Sequence, residues 1–172
     1  MAAYNLFEQR ISVRNFSDEP VSKEQLYTIL NAGLCAPTAK NLKPFTLMVI
    51  QDKEKLLRLA AAGDTAKMLR KASAAIAVIG DLQIQPCAEL LVADCSAATE
   101  NMLLAATQLG LGACWCGVVS SDWSQAVKEI LELPEETKPV SIIAVGCPKR
   151  AVQGRKRWDD TKICWEKWKK FD

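Results

Sequence analysis

The spacing of apolar residues divides the chain into alternating helical and extended segments. Leu26, Ile29, Leu30 and Leu34 recur along one helical face, and Ser22 with Gln25 three positions on forms a capping-box signature after Pro20. FTLMVIQ (residues 45–51) is an unbroken apolar run suited to a buried strand, as are AAIAVIG (74–80), ACWCGVV (113–119) and VSIIAVG (140–146). Between them, Asp52 opens a helical pattern over KEKLLRLAAA, and Ser121 opens another over SDWSQAVKEIL. The longest helix, rich in Ala, Met and Leu, is expected from Asp94 to Leu109, with Gly110 at the stop position. A short helix is expected from Tyr4 to about Ile11. No repeat or low-complexity linker interrupts this order. It predicts a single domain over residues 1–172, an α+β sandwich of helices on a central mixed sheet.

Composition narrows the chemistry. Hydrophobic residues make up 49% and charged residues 24% of the 172, an ordinary globular balance. The net charge of +2 offers no broad field for nucleic acid or anionic lipid, so any anion site must be local. No apolar run has the length of a membrane span, and MAAYNLFEQR lacks the apolar region of a signal peptide. Seven scattered cysteines, an odd number, fit a reducing, cytoplasmic setting better than a disulfide framework. The nearest pair, Cys114 and Cys116, is expected to turn its thiols to opposite faces of a strand. The chain has no histidine, which removes Ser-His-Asp and Cys-His hydrolase mechanisms and the common zinc sites. No catalytic side chain and no metal ligand set is expected; a cofactor would carry the chemistry.

Four stretches are too polar for plain scaffold: RISVR (residues 10–14), PTAKN (37–41), CWCG (114–117) and GRKR (154–157). Two guanidiniums and a hydroxyl converging in the first would cradle a phosphate. Each stretch also has a bland alternative. Arg10 and Arg14 stand four apart and could solvate one helix face, residues 37–41 could be a turn, 114–117 a core strand with its turn, and 154–157 a solvated tail.

Taken in order, these stretches resemble the nitroreductase family of FMN-dependent oxidoreductases over nearly the whole chain. The matching segments are RISVRNFSDEPVSKEQL, APTAKNLKPFTLMVI, DCSAATENMLLAATQLGLGACWCGV, and AVGCPKR leading to RKRWDDTKICWEKW. The resemblance implies a three-layer sandwich, a homodimer with FMN at the subunit interface, and a C-terminal tail extending over the partner. It implies that Arg10 and Ser12, with Ile11 between them, hold the phosphate and ribityl chain, and that Arg155 and Arg157 close on the phosphate. Arg14 would lie near N1 and O2 of the isoalloxazine, Pro37 and Thr38 against the ring, and Asn41 on its pyrimidine edge, with the loop around Pro37 crossing to the partner's flavin. The Cys116–Gly117 backbone, after Trp115, would meet N5 and O4. Trp158, Trp165, Trp168 and Phe171 would anchor a neighbouring subunit.

The activity implied is ping-pong use of NAD(P)H to reduce small planar acceptors such as nitroaromatics, quinones or flavins. The alternative is a non-catalytic FMN-binding or redox-sensing flavoprotein. Three positions depart from the family pattern. Lys43 replaces a frequent Gln and adds a cation near the pocket, or is merely solvated. Cys164 stands where relatives often have His, and the segment DLQIQPCAELLVA (residues 81–93) is short for a lid.

Overall fold

A computed structural model describes residues 5–118 and 120–168. Four strands form one sheet in the order β1-β2-β4-β3: β1 (Phe45–Ile50), β2 (Ala74–Asp81), β3 (Gly112–Gly117) and β4 (Thr137–Gly146). All three strand pairings are antiparallel. Among the described residues, the expected mixed character survives as an isolated parallel bridge between Ser12 and Ala113. The apolar runs announced buried strands, but a run buried on both faces carries no sign of its direction.

Helices cover both faces, giving three layers. On one side, α2 (Lys23–Leu34) and α4 (Ala88–Gln108) pack on Ile76, Val78, Ile143 and Val145. On the other, α3 (Lys53–Ala62) and α5 (Ser121–Leu131) close over Ala75, Ala77, Ile142 and Ala144. The alternation of β2 residues between the two clusters is the period-two geometry of a strand buried on both faces. Behind β4, the buried hydroxyls of Thr99 and Ser141 meet at 2.8 Å, so neither is left unpaired in the core.

Local signals set several boundaries. Ser22 Oγ accepts from the Gln25 N–H, and Gln25 Oε1 accepts from the Ser22 N–H, the reciprocal cap expected. Gly110, at φ 73°, ends α4: its N–H donates to Thr107 O and the Leu111 N–H donates to Ala106 O. The start of α4 differs from expectation. The helix begins at Ala88, so the last six residues of the short lid segment are helical, and Asp94 lies inside the helix rather than at its start. The first turn has no side-chain cap, and so left no polar mark in the sequence.

The four-residue α1 (Leu6–Gln9) carries an Asn5–Glu8 capping box and releases the chain in extended form at Arg10. The chain then runs along the outer edge of β3, where the Val13 N–H donates to Ala113 O at 2.9 Å. Close approach there depends on Gly112, because a Cβ at that position would lie 2.6 Å from Val13 Cγ1. Gly112→Ala is therefore expected to push the 10–14 segment off the sheet edge and destabilise the protein by about 1–3 kcal/mol. Thermal unfolding checks the loss, and amide exchange at Val13 checks its location.

Candidate active site

The structure brings RISVR and CWCG together. Docking of Val13 on Ala113 sets Arg10, Ser12 and Arg14 beside the upper half of β3. Arg10 Nε lies 3.5 Å from Glu100 Oε1 on α4, which restrains one of the guanidiniums. The tail returns to the same corner, because the Arg155 N–H donates to Glu8 O at 2.9 Å. Arg155 is thereby brought to α1 from far along the chain. Arg157, two residues on, is exposed.

The outer edge of β3 is the second feature. Ala113 O points outward to Val13, so by strand alternation the backbone groups of Trp115 and Gly117 point outward as well. The Cys116 amide faces Ile142 of β4 instead. Of the Cys116–Gly117 pair expected to offer backbone groups, Gly117 is the residue whose N–H lies on the open edge, and Trp115 joins it. A cavity of about 590 Å³ opens at this edge, lined among others by Arg14, Lys67, Met68, Cys114, Trp115 and Gly117. A second, of about 490 Å³, lies against Ile11, Ser12 and Arg14 and adds Lys149 and Arg150.

Lys67, Lys149 and Arg150 were not anticipated as site residues. Lys67 sits in a short 3-10 turn (Lys67–Lys71) between α3 and β2, where a lysine reads as solvated surface. Lys149 and Arg150 follow the end of β4, and the Lys149 N–H donates to Asn15 O at 3.0 Å. Nothing in their spacing announces that contact; it is created by the return of β4 to the N-terminal segment.

Cys114 and Cys116 share one face of β3 and one core cluster, contrary to expectation. Residues two apart in a strand point the same way, and only neighbours alternate. Cys116 Sγ also lies 3.4 Å from Met68 Sδ. Hydrogen bonding from Cys116 holds the Cys114 thiol well below its usual range, at about 6, and Arg14, Ser12 and Arg10 act in the same direction against burial. Cys116 is pushed upward, by its bond to Cys114, by burial and by the neighbouring negative charge. The cations absent from the 113–119 stretch are thus supplied through space.

The loop around Pro37 is placed elsewhere. Pro37, Thr38, Asn41 and Lys43 do not line the cavity at Arg14. Instead the loop packs at α4, where the Ala39 N–H donates to Asp94 Oδ1 at 2.8 Å. Lys43 is exposed, and its backbone N–H donates to Thr38 Oγ1 at 3.0 Å. In the tail, Trp158, Trp165 and Trp168 are 79%, 85% and 81% exposed. Trp158 Nε1 donates to Asp160 Oδ1, and Phe171 lies outside the described residues.

The sequence model of the nitroreductase family matches residues 7–83 and 66–147, which include the 10–14 segment, the 37–43 loop and all of β3. The chain belongs to the nitroreductase family. It is 38% identical over 164 residues to a protein of Archaeoglobus fulgidus provisionally named NADH dehydrogenase/NAD(P)H nitroreductase, covering 92% of this chain and 94% of that one. An FMN-dependent nitroreductase from Clostridium difficile has the same fold, with a TM-score of 0.88 and 28% identity over 95% of this chain and 98% of its own. A provisionally named nitroreductase of Desulfovibrio desulfuricans, solved in complex with FMN, superposes with a TM-score of 0.81 at 30% identity, covering 95% and 96% of the two chains. Among the described residues, no cluster of His, Cys, Asp or Glu could hold a metal ion, and no helix is long and apolar enough to cross a membrane.

Within this nitroreductase-family site, the thiol pair makes a direct electrostatic probe. In the cofactor-free protein, ultraviolet thiolate absorbance should show one cysteine ionising below the ordinary thiol range, and Cys114→Ser should remove that step. Arg14→Ala should move it to higher pH, since a nearby cation favours the thiolate. A step unmoved by Arg14→Ala would leave the Cys116 hydrogen bond as its main cause.

Proposed function

We propose that this protein is an FMN-dependent oxidoreductase that takes reducing equivalents from NAD(P)H and delivers them to small planar acceptors such as nitroaromatics, quinones or flavins. The observation carrying this reading is the pairing of a cationic corner with an open backbone edge on the same strand. Arg10, Ser12 and the returning Arg155 suit an anionic phosphate. Arg14, Lys67 and the outward groups of Trp115 and Gly117 suit a planar ring with polar edges. These donors fit FMN. An acidic lining would have refused its phosphate, and a fully paired edge its ring.

When bound, FMN supplies a centre that accepts and returns a hydride. Arg14 would hold a fixed positive charge beside the bound ring, already in place and without reorganising at the moment of reaction. Lys67 adds to that field. The outward N–H of Gly117 would be available to donate at the ring edge, with the backbone of Trp115 beside it. Neither half-reaction asks for a side-chain acid, which suits a chain without histidine. NAD(P)H and the acceptor occupy one site in turn, the ping-pong pattern.

The proposed working unit is a homodimer in the cytoplasm. The loop of Pro37, Thr38 and Asn41 lies apart from the Arg14 cavity of its own chain, which supports its serving the site of a partner. The exposed Trp158, Trp165 and Trp168 support the same arrangement, as large aromatics that a second subunit would cover.

Arg10→Ala and Arg157→Ala are each expected to weaken FMN binding by about 1.5–3 kcal/mol, the scale of a charge-assisted hydrogen bond. Fluorescence titration of the cofactor-free protein measures it, with circular dichroism confirming an unchanged fold. Steady-state rates with NADH or NADPH and varied menadione should give parallel double-reciprocal lines. Intersecting lines would replace the ping-pong scheme, and no turnover despite bound FMN would favour the redox-sensing alternative.

A further inference from the structure

Asp94 has no role in the site described so far, yet its setting is unusual. It stands inside α4 with 6% of its surface exposed, beside the buried Leu91, Cys95 and Ala98. Burying a carboxylate is costly unless its oxygens are matched. Oδ1 is matched by the Ala39 N–H at 2.8 Å, and Oδ2 is buried with no hydrogen-bond partner.

The other end of that bond is a strained loop. Lys40, Asn41 and Lys43 have φ of 53°, 55° and 50°, a left-handed region that side chains with a Cβ disfavour. The loop's remaining described hydrogen bonds are internal: the Asn41 N–H to Thr38 O, the Leu42 N–H to Ala39 O, and the Lys43 N–H to Thr38 Oγ1. Internal bonds shape the loop but do not fix it to the molecule. Among the described residues, the hydrogen bond joining residues 37–43 to another element is the one from Ala39 to Asp94.

We propose that Asp94 is a positioning residue of the flavin site, holding Pro37, Thr38 and Asn41 in the conformation in which that loop meets the cofactor. The inference rests on the FMN reading above and adds to it a residue that touches neither cofactor nor substrate. It acts through the Oδ1 acceptor, not through charge. Asparagine at this position keeps an acceptor for the Ala39 N–H; alanine does not.

The bond can also be removed from its other end. Thr38 is extended (φ −134°, ψ 152°), as a residue preceding proline prefers. Ala39 opens the 3-10 turn, where a proline fits. Ala39→Pro therefore deletes the donor while leaving the carboxylate in place.

The experiment compares FMN-loaded wild type, Asp94→Ala, Asp94→Asn, Ala39→Pro and the Asp94→Ala/Ala39→Pro pair. FMN affinity, kcat with menadione and the melting temperature of the cofactor-free protein are measured for each. Asp94→Ala and Ala39→Pro should each weaken FMN binding about tenfold and lower kcat, the scale of one lost hydrogen bond. The double variant should lose no more than either single one, because both remove the same bond. Asp94→Asn should stay close to wild type. Melting temperatures that fall while FMN affinity and kcat hold would overturn the proposal in favour of a purely structural role. Loss in Asp94→Asn equal to that in Asp94→Ala would also overturn it, by showing that the charge is what matters. Wild-type protein that binds no FMN would instead refute the cofactor reading, a result separate from these.

Discussion

The Val13 N–H donates to Ala113 O at 2.9 Å, and most of what the site can do descends from that contact. It covers only the first part of the β3 edge, so the strand beyond it keeps backbone groups facing outward. An uncovered strand edge invites pairing with another chain unless something manages it. Here the edge lies beside Arg14 and Lys67 at the mouth of a cavity, and the planar cofactor proposed for it would use both its hydrogen bonds and its charge. Gly112 makes the contact possible, Glu100 restrains Arg10, and the Glu8–Arg155 bond brings the tail to the same corner. One strand edge thus connects three distant parts of the sequence.

Features written locally were legible from sequence. The Ser22–Gln25 cap and the Gly110 stop are fixed by residues within one helical turn of each other, and both stand where the pattern put them. Strand existence was equally plain, because runs such as AAIAVIG leave no surface to expose. Direction was not, since pairing depends on partners far along the chain. The start of α4 was misread because Asp94 has the chemistry of a cap while its carboxylate serves Ala39 instead.

The site divides along the same line. The 10–14 segment and β3 could be named because their residue types are distinctive and their order matches a family. The meeting of Arg14 with Cys114, and of Lys149 with Asn15, arises only when the sheet edge folds back on the N-terminus. The two thiols of β3 illustrate a further point: strand parity alone places them together, and their ionisation is then governed by a cation absent from their own segment. The Pro37 loop was expected, from the family resemblance alone, to cross to a partner's flavin, because no local pattern announces such a placement. The fold anchors it on α4, apart from the Arg14 cavity of its own chain, which supports the proposed sharing of the flavin contacts between two subunits.

Native mass spectrometry of the purified protein reports on this proposed division of the flavin contacts. A dimer carrying one FMN per chain is expected, with dissociated monomers losing the cofactor. A monomer that keeps FMN as tightly as the dimer would contradict it, because one chain would then be building the whole site.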